Sequence, residues 1–172
     1  MDVLDVNTTR TRLLALSQLE EHLSFRVSRL SKLMDNHSAK NIRHPQLNLT
    51  DYRILLVLDL FHETSAADLS RIMVIDRAQI SRSVAALRTG AFLEERTDPK
   101  NKRRKLLRLS AKGTDALSGE QPFFSARQAE FEDLLSPDEL AGLTAAIDKL
   151  SRHLAQELGE PQAIPASEQQ KP

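Results

Sequence analysis

The feature that most limits what this chain can fold into is a change of hydrophobic period near residue 90. Before it, two short segments are each announced by a helix cap. Ser65 with Asp68 three residues on opens one. Asp76 with Gln79 opens the other in the manner of a capping box, where side chains satisfy the free N–H groups of a first helical turn. Only Met73, Val74 and Ile75 separate the two, which predicts short helices joined by a tight turn. Gly90 stands where a C-terminal glycine would end the second helix. The period then falls to two. Phe92–Arg96 and Lys105–Leu109 predict two strands, and the turn-rich stretch Thr97–Arg104 predicts the tip of a hairpin between them.

The flanks read as longer helices. From Thr8 to Met34, Leu16, Leu19, Leu23, Leu30 and Leu33 recur at helical spacing, with Asn36, Asn41 and Pro45 as breakers. A second helix is expected from Leu49 to about His62, with Asn48 as its N-cap. Its run Ile54-Leu55-Leu56-Val57-Leu58 is apolar all round, so it should be central and buried. Ser110 opens a further helix that Gly119 and Pro122 should interrupt or kink. Ser136-Pro137-Asp138-Glu139 is a strong start signal for a last helix. That helix carries Leu140, Leu143, Ile147, Leu150 and Leu154 in steps of three and four, an a/d seam. Residues 1–7 and the proline-punctuated tail 159–172 are too polar to order themselves and are expected to be disordered.

Helix, turn, helix, strand, basic loop, strand is the order of a winged helix-turn-helix. The expected fold class is mainly α with a small β-wing: a winged lobe over 49–109, and a helical dimerisation region built from 8–48 and 110–158. The terminal seams exceed what one small winged lobe must cover, so the end helices are expected to pair with those of a second copy.

Charge sharpens this reading. The 172 residues carry no net charge, yet Ser65 to Lys112 holds twelve Lys and Arg against five Asp and Glu, and the rest is correspondingly acidic. A neutral chain with a basic middle presents one positive region to a polyanion. On the expected recognition helix, Ile80, Val84 and Leu87 share the inward face. The opposite surface offers Arg77, Gln79, Ser81, Arg82 and Arg88. Arg can bind guanine and Gln adenine with two hydrogen bonds each, whereas Ser81 and Arg88 suit phosphate contacts. Lys100, Lys102, Arg103 and Arg104 crowd the wing tip, where they can reach phosphates or a narrow minor groove. A dimer would set two recognition helices about 34–36 Å apart on a palindromic double-stranded site.

At these residues the chain resembles the MarR family of bacterial transcription regulators. Leu47-Asn48-Leu49-Thr50-Asp51-Tyr52-Arg53-Ile54-Leu55 is similar to the family's second-helix opening. Asp76-Arg77-Ala78-Gln79-Ile80-Ser81-Arg82 is similar to its recognition-helix start. Asp98-Pro99 through Arg103, then Leu109-Ser110-Ala111-Lys112-Gly113, is similar to its wing and exit. The resemblance implies a dimeric DNA-binding repressor, with Ser81, Arg82 and Arg103 on DNA, released by a small ligand that is often a phenolic or aromatic acid. Two positions depart from the pattern. Asn101 stands where the wing commonly has a second Asp, so the salt bridge of that Asp is lost. Val74 stands where many members have Gly, which predicts a turn without positive φ.

One clue to a ligand is independent of the resemblance. The stripe Leu19, Leu23, Arg26, Leu30, Leu33 has a charged middle member, with His22 and Arg29 a turn to either side. A partly buried guanidinium needs an anion, supplied by a carboxylate of the last two helices or by a ligand. Phe25 and Tyr52 would serve as aromatic walls, and Arg53, within the apolar second helix, poses the same question. Aromatic acids and acyl-CoA thioesters are the candidate effectors. With no cysteine, thiolate catalysis, thiol sensing and cysteine metal sites are excluded. The five His show no tight ligand spacing, so neither a cofactor nor a bound metal is expected, and a metal-responsive regulator is the weaker alternative. No glycine-rich phosphate loop or nucleophile elbow is present, so the chain is not expected to be an enzyme. No apolar run spans a membrane and no signal peptide is recognisable, which leads to a cytoplasmic expectation. The alternative of another class is a winged-helix protein-interaction module whose basic wing meets acidic partners.

Overall fold

The structure is a computed structural model and describes residue 14 and residues 17–159. Among the described residues the chain is mainly helical with a single two-stranded antiparallel sheet, and it divides into two compact units at Asn41/Ile42. The expected loose ends, residues 1–7 and the tail beyond Gly159, lie outside the described residues.

In the first unit, residues 17–21 are helical and α1 spans Leu23–Asn41. His22 lies between them: its N–H donates to the Leu19 carbonyl at 3.1 Å, and its own carbonyl accepts from Arg26 N–H at 3.1 Å. The expected break at Asn36 does not occur. One asparagine is not enough to stop a helix, and α1 runs on to Asn41, whose side chain donates to the His37 carbonyl at 2.8 Å. Leu19, Leu23, Val27, Leu30 and Leu33 form an exposed apolar stripe.

The second unit contains α2 (Leu49–Phe61), α3 (Ala66–Met73), α4 (Arg77–Thr89), β1 (Leu93–Thr97), β2 (Lys105–Leu109), α5 (Ala111–Asp133) and α6 (Pro137–Leu158). Asn48 caps α2 in a full capping box: its side chain accepts from Asp51 N–H at 3.0 Å, and its own N–H donates to the Asp51 carboxylate at 3.1 Å. Ile54, Leu55 and Leu58 are fully buried, so α2 is the centre of the core as its apolar run predicts. Around it pack Leu69 of α3, Ile80 and Leu87 of α4, Phe92 and Leu107 of the wing, and Leu117 of α5. Burying one such side chain is worth about 1.5–3 kcal/mol relative to leaving it in water.

Glu120 of α5 is also buried. Its carboxylate accepts the backbone N–H of His44 at 2.7 Å and that of Arg43 at 3.1 Å, tying the segment before α2 to α5. A buried carboxylate held by backbone donors satisfies groups that would each cost about 1–3 kcal/mol if orphaned. The expected interruption at Gly119 and Pro122 is not seen. α5 is continuous through both, held by the buried faces of Ala116, Leu117 and Glu120 just before Pro122.

Two turns are built differently from expectation. Val74 takes the left-handed conformation, φ 51° and ψ 46°, so the turn between α3 and α4 does use a positive φ. The chain reverses there because the N–H of Ile75 reaches back to the Ser70 carbonyl at 3.1 Å, while the Ser70 hydroxyl donates to the Ile75 carbonyl at 2.6 Å. Gly90 has φ −75°, and it is Ala91 that takes φ 59°. Gly90 is needed for space instead, since a Cβ there would stand 2.6 Å from Cε2 of Phe92.

The strands pair from Leu93↔Leu109 to Thr97↔Lys105. Thr64 adds one bridge on the other side of β2, exchanging backbone bonds of 3.1 and 2.8 Å with Leu107. α6 opens with the predicted Ser136/Glu139 capping box and ends at Gly159 in the left-handed region. Leu143, Ile147, Leu150, Leu154 and Leu158 are exposed along it. Among the described residues no helix is long and apolar enough to cross a membrane.

Candidate nucleic-acid interface

α4 presents the expected division of faces. Ile80, Val84 and Leu87 are buried, while Arg77, Gln79, Ser81, Arg82 and Arg88 are exposed. Asp76 caps the helix by accepting from Ala78 N–H at 2.8 Å and Gln79 N–H at 3.2 Å. The return half of the expected capping box is absent among the contacts of Gln79. Its side-chain amide instead donates to the Thr50 hydroxyl at the start of α2, 3.2 Å away.

The wing tip is ordered by two short side chains. Asp98 is buried and accepts from Lys100 N–H at 2.8 Å. Asn101 accepts from Arg103 N–H at 3.1 Å, and its carbonyl accepts from Arg104 N–H at 2.8 Å. The missing wing aspartate is thus replaced by an amide that holds the backbone without a salt bridge, and Arg103 keeps its charge uncommitted.

Ion pairing sorts the basic residues into two groups. Arg88 pairs with Glu95 at 3.0 Å. Arg104 pairs with Asp68 at 2.5 Å and faces Asp98 at 3.7 Å. Arg96 is held by Glu63, Arg108 by Glu94 and Arg71 by Asp68. Among the described residues, Arg77 and Arg82 of α4 and Lys100, Lys102 and Arg103 of the wing tip have no ion-pair partner. The partnered carboxylates carry the mark of those pairs. The hydrogen bond from Arg96 holds Glu63 below its ordinary pKa. For Asp68, burial alone would raise the pKa, but bonds from Ser65 and Arg104 and the charges of Arg104 and Arg71 outweigh it and hold it below the ordinary value.

The residues expected to meet a ligand fall in both units. On α1, Phe25 is half-buried and His22, Arg26 and Arg29 are exposed. In the single chain Arg26 and the stripe around it are exposed, and Arg26 has no ion pair among the described residues. Arg29 pairs with Glu20. In the second unit Tyr52 is buried and Arg53 half-buried. The Tyr52 ring stacks on Phe124, and the Arg127 guanidinium lies over Phe124 at 4.9 Å. Burial raises the Tyr52 pKa against the opposing charge of Arg127. Among the described residues no group of three or more His, Asp or Glu is placed to hold a metal ion.

Sequence reasoning missed Phe124, Arg127 and Glu120 near Tyr52, and Asp68 and Glu95 as partners of wing and helix cations. Phe124 meets Tyr52, Glu120 meets residues 43 and 44, and Asp68 meets Arg104 across the fold, with no local spacing signal. Glu95 and Arg88 are near enough in sequence that an alternation of sign could have suggested the pair.

A helix-turn-helix with a β-hairpin wing and exposed cations at both its second helix and the wing tip occur together here. They define a winged helix-turn-helix protein of the recognition-helix-and-wing type. Residues 46–104 match the family model of the MarR family. No curated protein matches the chain in sequence. Among solved structures, the chain is similar to the S. aureus MepR-DNA complex at 15% identity and a TM-score of 0.72, covering 78% of this chain and 98% of that one. It is similar to BpsR of Bordetella bronchiseptica, whose DNA binding is regulated by 6-hydroxynicotinic acid, at 20% identity and 0.69, covering 76% and 94%. The PcaV transcriptional regulator of Streptomyces coelicolor, solved with its natural ligand, is similar at 20% identity and 0.66, covering 88% and 98%. At such identities the likeness carries the fold.

Proposed function

We propose that this protein is a dimeric, sequence-specific DNA-binding transcriptional regulator that represses from a palindromic operator and is released by a small aromatic or anionic ligand. The observation that carries the reading is the division of charge just described. Among the Lys and Arg of residues 65–112, Arg77 and Arg82 on the recognition helix and Lys100, Lys102 and Arg103 at the wing tip are left without ion pairs, as is Lys112, which instead donates to the Gly90 carbonyl at 2.7 Å and lies over the Phe92 ring. Those with structural partners, Arg88 and Arg104 included, serve the lobe itself. The exposed stripes of α1 and α6 support pairing with a second copy, because apolar rows of that length are costly to leave in water. The MepR complex with DNA, BpsR regulated by 6-hydroxynicotinic acid and PcaV with its natural ligand support the same reading by analogy.

The test is a duplex selected from a random-sequence pool by the full-length protein. The affinity is expected to fall with a slope of about −0.9 in log–log units for each phosphate neutralised. Arg103→Ala and Lys102→Ala should each flatten that slope by about one unit per protomer, and Arg82→Ala should also relax base preference. Binding that ignores duplex sequence, or needs an acidic protein instead, would favour the interaction-module reading and sink this one. Ligand response is tested on the same complex with aromatic acids and acyl-CoA thioesters, scored by DNA release and by a rise in melting temperature. Arg26→Ala is expected to keep DNA binding and lose that response.

A further inference from the structure

Arg104 stands at the trailing end of the wing tip, and its backbone closes the loop: its N–H donates to the Asn101 carbonyl at 2.8 Å and its carbonyl accepts from Asp98 N–H at 2.9 Å. Its side chain leaves the wing and meets Asp68 of α3, 36 residues earlier, at 2.5 Å. Asp68 is itself fixed. The Ser65 hydroxyl donates to it at 2.6 Å, and Arg71 of the same helix donates to its other oxygen at 2.6 Å. A carboxylate gripped by its own helix cap therefore grips the base of a loop that carries three unpaired cations.

We propose that Asp68 is a positioning residue for DNA binding: by holding Arg104, it sets Lys100, Lys102 and Arg103 at a fixed station relative to the recognition helix. This rests on the DNA-binding reading above. The physical need is clear from the hairpin itself. A two-stranded ribbon is marginal alone, and among the described residues the Thr64 bridge is its only further strand pairing. Without an anchor at its base, the tip would pay ordering entropy on each encounter with a duplex. The competing assignment makes Arg104 a DNA contact and Asp68 a mere counter-charge. The two assignments predict opposite results when Asp68 loses its charge.

The experiment compares wild type, Asp68→Asn, Arg104→Gln and the double variant, all full length, on a duplex selected by the wild type from a random pool. If Asp68 positions, Asp68→Asn weakens binding about tenfold at moderate salt and makes the salt slope shallower, because tip contacts form less often. The double variant is then no weaker than either single one. Equal or tighter binding by Asp68→Asn with a steeper slope would overturn the proposal, since it means Arg104 was released to a phosphate. Arg104→Gln leaves the Ser65–Asp68 cap intact and supplies a second readout without DNA. Amide exchange at residues 100–103 should rise about tenfold in that variant. Unchanged exchange overturns the proposal even if Asp68→Asn does not fold. A wild type that selects no duplex would sink the DNA-binding reading, while the exchange measurement still decides the anchor.

Discussion

The ring of Tyr52 on α2 lies face to face with Phe124 on α5, 3.9 Å between centroids and 7° from coplanar. This pair joins α2 to the middle of α5, and the Arg127 guanidinium lies over the Phe124 ring. Tyr52→Ala removes a buried ring and the stack together. A loss of about 3 kcal/mol in urea unfolding is expected, the lower part of the usual range because Phe124 is only half-buried. Tyr52→Phe keeps the ring and should cost under about 1 kcal/mol. Equal losses for the two variants would mean that the hydroxyl, and not the stack, holds this junction.

Val74 is a β-branched residue in the left-handed region, and it is exposed. An L side chain there costs about 1–2 kcal/mol, and no buried contact of Val74 offsets it. Val74→Gly should therefore stabilise the protein, by about 0.5–1 kcal/mol once the greater freedom of glycine in the unfolded chain is subtracted. Chemical denaturation of the two proteins side by side checks this. A drop in midpoint would show that Val74 makes a contact worth more than its strain.

Much of this fold was legible in the chain because its signals are local. Asn48, Ser65, Asp76 and Ser136 each cap a helix within a few residues of their partners, and Ile80, Val84 and Leu87 recur at helical spacing toward the core. β2 falls where its period of two ends, and β1 is displaced by one residue. What was not legible depends on contacts across the fold. The exposed and partnered states of Arg82 and Arg88 look alike in sequence, and only the return of β1 along α4 gives Arg88 its Glu95. Arg104 reads as one more wing cation until α3 brings Asp68 to it. The turn at Val74 misled because the absence of glycine argues against a positive φ, whereas the Ser70–Ile75 bonds impose one.

Asp68 also makes stability depend on pH in a definite direction. Its folded pKa lies below the ordinary value of 3.8, because the Ser65 and Arg104 bonds and two guanidinium charges outweigh burial. A depressed carboxylate contributes stability that is complete above its unfolded pKa and is lost as pH falls through the folded one. Its ion pairs are solvent-exposed enough to be worth only about 0.5–1 kcal/mol. Wild type should exceed Asp68→Asn in melting temperature at pH 7, and the gap should close as the pH drops below about 4. A gap of the same size at pH 3 would assign the difference to the shape of the cap and not to its charge.

Gly113, in the first turn of α5, has no room for any side chain. A Cβ built there would stand 2.1 Å from the carbonyl oxygen of Phe92 and 3.1 Å from its carbon. That carbonyl cannot step aside, because it accepts the Ser110 N–H at 3.0 Å, and the Phe92 ring is locked in the core. Ser110 in turn caps α5 by accepting from Gly113 N–H at 3.0 Å and donates its hydroxyl to the Ala91 carbonyl at 2.7 Å. Any movement that admits a methyl group must separate α5 from the end of α4 and strain both bonds. Gly113→Ala is therefore expected to destabilise the protein by about 2–4 kcal/mol, although alanine favours a helix over glycine by about 1 kcal/mol. Gly119 of the same helix has nothing within 4 Å of a built Cβ, so Gly119→Ala should raise stability by about 0.5–1 kcal/mol. Opposite signs for two identical substitutions six residues apart, measured by urea unfolding, would separate close approach from helix propensity; a shared sign would remove the close approach as the reason for glycine at 113.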